Sequence, residues 1–328
     1  MVDIDLATQR PQSVATLLWE VHQGVGGALG MPPVASGFDP LDDVLDGGFI
    51  AGDVVLLGGQ PGSGKTICSL QWARNIAAQG RSVAVACFEH DEGALLSRLL
   101  VQELALLDVD VESTERLRAR RVVRDLLLGV VSASDAVAAS PLISRAFESM
   151  GSFSARVQLL RASTRHTTSA ALEDLVAANL DEGGVLVVDY LQKLPVASAP
   201  SLDERVYRAI EDLKELAVAH RITVVALSAA SVDGIGVDRL QLRHLRGADA
   251  VAHECDVAIL LNDKVTAVAD RHLKYDLTQL DDARRRSVFS VEKNRRGEVD
   301  IHLEFVKDFA NFRFIPRGAF LTEAMRDD

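Results

Sequence analysis

The chain has 328 residues, 48% of them hydrophobic and 25% charged, and a formal net charge of −12. That length holds one large domain or two ordinary ones, and the balance is that of a soluble globular protein. An acidic chain of this kind is not coated in basic surface for nucleic acid, although a local groove needs only a few cations.

No apolar run reaches the roughly 18 residues of a membrane helix. Val2-Asp3-Ile4-Asp5 is no signal peptide, so a cytoplasmic protein with no membrane partner is expected. Residues 1–10 are polar and read as a loose tail. From Gln12 to Val25, apolar Val14, Leu17, Leu18, Val21 and Val25 recur at helical spacing, with Ser13 as candidate N-cap. Gly24-Val25-Gly26-Gly27 and Pro32-Pro33 separate this helix from the body. Its apolar stripe therefore docks either on a neighbouring subunit or on its own domain.

Asp53 to Gly58 reads as a short buried strand and Thr66 to Gln79 as a helix ending at Gly80. Between them stands Gly59-Gln60-Pro61-Gly62-Ser63-Gly64-Lys65-Thr66, which fits the phosphate-binding loop G-x-x-x-x-G-K-[ST] at every fixed position. The strand–loop–helix setting is the one the motif requires. Gly59, Gly62 and Gly64 let the backbone bend closely around phosphate oxygens. Exposed N–H groups and the positive end of the helix then favour an anion. Lys65 adds a full charge at the β/γ-phosphates, and the Thr66 hydroxyl can ligate magnesium. Chance would produce such a match in a chain this long with odds on the order of one in a hundred. The motif points to a nucleoside triphosphate.

Ser82 to Phe88 is a strand with Glu89 at its carboxyl end, where ligands of open α/β sheets gather. Glu89 is a candidate general base beside the γ-phosphate; the bland alternative is a surface acid capping the Asp91 to Leu107 helix. Residues 91 to about 150 read as helical. Arg116, Arg118, Arg120, Arg121 and Arg124 spread around a helix circumference, which favours a solvated face over nucleic-acid contact, and the same holds for Arg284, Arg285 and Arg286. Ala155 to Leu160 is a further strand and Thr168 to Leu180 another helix. Val185-Leu186-Val187-Val188-Asp189 is an apolar strand ending in a carboxylate, the Walker B pattern, whose aspartate supports magnesium opposite Thr66. Alone that signal is weak; behind a phosphate loop it is strong.

Leu202 to His220 is an amphipathic helix, followed by the strand Ile222 to Leu227 ending at Ser228. A loop from Ala229 to Val237 leads into a basic stretch with Arg239, Arg243 and Arg246. Asp256 to Leu261, Ser287 to Glu292 and Val299 to Phe305 complete the strands, and the charged segment from Asn262 to Arg286 reads as a mobile excursion. Cys68, Cys87 and Cys255 are far apart and lack a CxxC, so each is expected as a small buried hydrophobe. Alternating strands and helices predict an α/β fold, a mostly parallel twisted sheet with helices on both faces.

Ser36-Gly37-Phe38 with Leu41-Asp42, the phosphate loop, Phe88-Glu89 with Arg98, and Asp189-Tyr190-Leu191-Gln192 form one series. It continues through Leu213-Lys214, Leu227-Ser228, Leu245-Arg246, Asp256-Val257, and Lys293-Asn294-Arg295 with Gly297. In this series, over roughly residues 33–316, the chain resembles the RecA-like ATPase domain of DnaB-type replicative helicases. Asp46-Gly47-Gly48 and the Lys293-Asn294-Arg295 stretch are also similar to RadA. The resemblance implies a RecA-like P-loop NTPase domain over 36–328, preceded in 1–35 by a tail and a linker or docking helix. It implies ATP on the loop from Gly59 to Thr66, magnesium (Mg2+) held by Thr66 and Asp189, and Glu89 activating the attacking water. Lys293 and Arg295 match the family's trans-acting pair, which reaches ATP held by the adjacent subunit; such a finger contributes about a thousandfold or more in rate. The alternative for these two is a solvated strand end. Arg246 matches the DNA-contacting loop. The partners implied are further copies in a homohexameric ring, single-stranded DNA, and replication or repair proteins.

The departures also carry information. DnaB enzymes have a separate N-terminal domain, for which the 328 residues are expected to leave no room. Where the family has a glutamine that senses γ-phosphate, this chain has Ala229. The family's Leu-Arg-Glu-Ser-Gly loop reads Leu245-Arg246-Gly247-Ala248-Asp249, placing a carboxylate where glycine approaches DNA phosphate. Two functions follow. One is a motor that translocates on or unwinds DNA; the other is a non-unwinding ATPase acting as a nucleotide-gated assembly or loading partner. A small-molecule kinase is disfavoured, because it gives Asp189 to Gln192 and Lys293 to Arg295 no combined role.

Overall fold

The structure is a computed structural model describing residues 13–23, 31–107, 113–196, 199, 201–268 and 277–326. In chain order its elements begin with α1 (Val14–His22), α2 (Leu41–Val44), β1 (Val54–Gly59), α3 (Lys65–Ala78) and β2 (Val83–Cys87). Four helices follow, α4 (Glu92–Leu106), α5 (Ser113–Leu127), α6 (Ala133–Ala139) and α7 (Pro141–Gly151), where the sequence promised one helical region. Then come β3 (Val157–Arg161), α8 (Ser169–Asn179), β4 (Val185–Asp189), α9 (Leu202–Ala219), β5 (Thr223–Ala229), α10 (Ala248–Glu254) and β6 (Val257–Asp263). The chain closes with α11 (Lys264–Ala267), α12 (Leu277–Arg284), β7 (Arg286–Asn294), β8 (Ile301–Asp308), β9 (Arg313–Phe314) and β10 (Ala319–Phe320).

The sheet runs β10-β8-β7-β6-β1-β5-β4-β2-β3, with β9 paired to β8. Contacts from β6 through β3 are parallel, whereas β6/β7, β7/β8 and β8/β10 are antiparallel. The parallel strands β1, β2 and β4 are buried along their whole length, which is why they read as unbroken apolar runs. Alternate side chains feed two cores. Val55, Leu57, Val85 and Val187 pack under α3, α4 and α7 with Trp72, Leu99 and Ile143; Leu56, Ala86, Leu186 and Val188 meet α8, α9 and α10 through Leu172, Ile210 and Val251. Phe38, Phe289, Phe305 and Phe314 gather beside Trp72, with ring centroids 4.7–6.5 Å apart, and join the first residues of the body to its antiparallel strands.

Two expectations change. The Asn262 to Arg286 segment is not simply an excursion: Lys264 is 6% exposed, ion-paired to Glu304 and Glu323, and Ala267 and Val268 pack on Val288 and Met325. Residues 269–276 lie outside the described part. Helix α1 buries none of its residues; Val14, Leu18 and Trp19 are exposed, so it does not pack on its own body. Gln12, Gly24 and Val25 of that expectation lie outside the described residues. All three cysteines are free and buried, as expected. Among the described residues no helix is long and apolar enough to cross a membrane.

Candidate active site

The register of the parallel strands aligns their carboxyl ends. Gly59 pairs with Ala229, Val188 with Ala226, and Cys87 with Asp189, so the ends of β1, β5, β4 and β2 form one row. The phosphate loop leaves β1 and Glu89 follows β2, which brings both to the rim of a cavity of about 450 Å³. Pro61, Gly62, Gly64, Lys65, Thr66, Glu89 and Asp189 all line it. Sequence positions up to 128 residues apart therefore share one space because strand order, not chain order, decides what meets.

Within it the Thr66 hydroxyl donates to Asp189 Oδ2 at 2.7 Å. The Cys87 thiol lies 3.5 Å from the same oxygen. Burial raises the Asp189 carboxyl above its usual range, and these two donors pull it back. Lys65 Nζ donates to the Gly59 and Gln60 carbonyls at 2.7 and 3.0 Å. Burial lowers its ammonium, against the opposing charges of Asp189 and Glu89. A part-buried ammonium held by carbonyls beside two carboxylates, at the start of a helix, is a preformed anion site. Gly64 caps α3 at φ 94°, and a Cβ there would sit 2.6 Å from the Phe309 ring, so glycine is the residue that fits.

Asp91, not Glu89, caps α4, accepting from Ala94 N at 2.8 Å, which leaves Glu89 free to face the cavity. Gln60 turns away from the expected ligand space: its amide donates to Val237 O at 2.8 Å and accepts from Gly236 N at 3.2 Å, tethering the loop after β5. The Ser63 hydroxyl is buried with no hydrogen-bond partner among the described residues. Such an orphan on a phosphate loop is satisfied by an anion's oxygens. Thr66 and Asp189 offer a hard, all-oxygen donor pair, the chemistry magnesium prefers. These observations fit a magnesium–nucleotide ligand.

Lys293 and Arg295 are not at this cavity. They lie where β7 meets the amino end of β6, beside the start of β1. Lys293 Nζ donates to the carbonyls of Ala252 and His253, and Arg295 to His253 O at 2.6 Å and Asp256 Oδ1 at 3.1 Å. Asp256 in turn accepts from Lys214 at 2.7 Å and from Val54 N at 2.8 Å. Arg246, expected at DNA, lines the cavity itself. Of the basic stretch, Arg239 is 6% exposed and Arg243 donates to His244. On α5, Ala119 and Val123 are buried, while Arg118, Arg121 and Arg124 are exposed, a solvated face.

Sequence reasoning gave no role to His90, Arg98 and Phe312, which complete the cavity wall. Arg98 meets His90 Nε2 at 2.9 Å and stacks 5.5 Å from the Phe312 ring centroid. Burial and the Arg98 charge lower the His90 imidazole. The strand-end rule that found Glu89 reaches His90 one residue on; Phe312 has no local signal, arriving from the far end of the chain.

The chain is similar to the replicative DNA helicase DnaB of Rhodothermus marinus, at 29% identity over 259 residues covering 74% of this chain and 24% of that protein. DnaB of Geobacillus stearothermophilus is 25% identical over 309 residues, 89% of this chain and 58% of its own length. DNA repair protein RadA of Brucella abortus is 33% identical over 101 residues, 31% of this chain and 20% of that one. The chain thus spans less than two thirds of each. Among solved structures, the ATPase domain of G40P superposes with a TM-score of 0.69 at 20% identity, covering 93% of this chain and 99% of that one. A DnaB-like replicative helicase, described with its interactions with primase, gives 0.65 at 19% identity, covering 93% and 67%. These superpositions show a RecA-like fold. The DnaB-like helicase C terminal domain matches residues 33–314, most of the chain, and the chain belongs to that family.

Proposed function

We propose that the chain is an ATP-hydrolysing ring motor that translocates on or unwinds DNA. The observation that carries this reading is the Thr66–Asp189 hydrogen bond of 2.7 Å in a cavity shared with Lys65 and Glu89, in a chain of the DnaB family. Lys65 exchanges its two carbonyl acceptors for phosphate oxygens, a charge-assisted and stronger pairing. Thr66 and Asp189 would hold Mg2+, which would supply charge neutralisation for the transferred phosphoryl group. Glu89 orients the attacking water and takes its proton.

What supports a shared site is distance. Arg295 sits at the amino end of β1 and the loop at its carboxyl end, roughly 20 Å away along the 6 residues of that strand. A chain's own Arg295 cannot span that gap, whereas a head-to-tail neighbour in a closing ring presents it at the right face. The homohexameric ring, with α1 docked on the next copy, follows from this reading. Replication or repair proteins are the partners it implies.

The test is ATPase rate with and without single-stranded DNA across a salt series. Stimulation that fades with rising salt supports phosphate contacts; no response at any salt removes the motor. The second reading, a non-unwinding ATPase that loads or assembles other proteins, is favoured by the cavity next to Arg246. Asp203, Glu204, Asp233 and Asp249 line its roughly 820 Å³ with Arg243 and Arg246. Four carboxylates against two guanidiniums repel a phosphate chain.

A further inference from the structure

Arg246 stands apart from the other arginines near the site. Arg98 is engaged by His90 and Phe312, and Arg243 by His244. The Arg246 guanidinium makes no ion pair or hydrogen bond with any described residue; only its backbone is held. That backbone is held at both ends. Its N–H donates to Ala229 O at 3.2 Å, its carbonyl accepts from Gln192 Nε2 at 3.4 Å, and Leu245 bridges to Ala230. Gln192 itself is 5% exposed, donates to the Ser228 hydroxyl at 2.8 Å and accepts from Ala229 N at 3.2 Å. The loop is therefore pinned to the end of β5, the strand between the phosphate loop and Asp189.

From that position Arg246 lines the same cavity as Lys65, Thr66, Glu89 and Asp189. Ala229 and Ala230 line this wall too and bring only methyl groups, so from the β5 side the guanidinium is the charged group that reaches the cavity. A planar, unpaired fork beside a phosphate site is matched by phosphate oxygens. On one flank stand Asp203, Glu204 and Asp249, which disfavour a nucleic-acid phosphate, and on another Lys193 and Arg205. We propose that Arg246 binds the terminal phosphate of the nucleotide held by its own chain, and so distinguishes a triphosphate from a diphosphate in cis. This rests on the nucleotide reading of the cavity and assigns to it the group that senses hydrolysis. Loss of the terminal phosphate then frees the guanidinium while Gln192 keeps the loop in place.

The experiment compares the full chain with Arg246→Ala and Arg246→Lys, titrating each with a nonhydrolysable ATP analogue, with ADP and with single-stranded DNA. Arg246→Ala should weaken the triphosphate analogue about 10- to 100-fold, the range for a charged hydrogen bond, and change ADP affinity less than about twofold. Arg246→Lys should recover part of that preference, having the charge without the fork. Equal loss for both nucleotides, or unchanged nucleotide binding with weakened DNA binding, overturns the proposal. A wild-type chain that binds neither nucleotide overturns the reading of the cavity beneath it.

Discussion

At the carboxyl ends of the parallel strands Lys65 turns inward, held by Gly59 and Gln60 carbonyls and partly shielded from water. At the amino ends Lys293 and Arg295 rest on the last carbonyls of α10 and on Asp256, with the Arg295 side chain 46% exposed. Both regions concentrate positive charge, and the first has a cavity to receive an anion. The second presents its cations outward, where helix carbonyls merely hold them in place. On the proposed reading, one region would act within the chain and the other would be completed by a second copy.

Arg295→Ala tests that contrast most severely. Turnover should fall about a thousandfold or more with nucleotide affinity retained, and mixing with Glu89→Ala subunits should restore part of the activity. An unchanged rate would make the outward cations mere helix partners of α10. Lys65→Ala should reduce turnover about a hundred- to a thousandfold and weaken binding as well, because its charge meets the ligand in both states. If binding survives intact, the inward region is not the phosphate site.

The amino-end cluster also makes a pH prediction. Asp53 is pushed from its usual 3.8 to about 6 by burial first and then by the Asp256 charge, against Arg296, Lys214 and Arg295. Between those values the folded chain binds more protons than the unfolded one, so stability falls as pH rises from about 4 to about 6. The decline should amount to about 1–3 kcal/mol, since the Arg296 partner is half in water. Denaturant midpoints across that window should drop for wild type and stay flatter for Asp53→Asn. A steeper drop in the variant would contradict the burial argument. The smallest effect concerns DNA: affinity should fall about threefold per phosphate contact between 50 and 200 mM salt.

How legible this was depended on how local each signal is. The phosphate loop and Asp189 could be read because eight consecutive residues and one buried strand end fix their own backbone and surroundings. The strands β1, β2 and β4 were equally plain, being apolar on both faces. Gln60 could not be read, since its tie to Gly236 and Val237 depends on a loop 176 or 177 residues away. Arg246 was read as a DNA contact from its neighbours in sequence; its place on the cavity wall follows from the pairing of Leu245 with Ala230. Likewise α11 was read by its charges, and Lys264 is buried because two distant glutamates answer it.

The pairing of Asp39 with the segment 316–318 has a mechanical consequence. Asp39 N–H donates to Pro316 O at 2.9 Å, and Gly318 N–H donates to Asp39 O at 2.7 Å. The two ends of the folded body are thus clasped side by side, with Phe38 sealed beneath them among Phe305 and Phe314. Tension between anything attached before residue 34 and anything attached after 326 would reach this short buckle once the outer Val34–Phe49 and Lys264–Glu323 pairings give way. The rows of strand ends that set the catalytic spacing would stay slack while it holds.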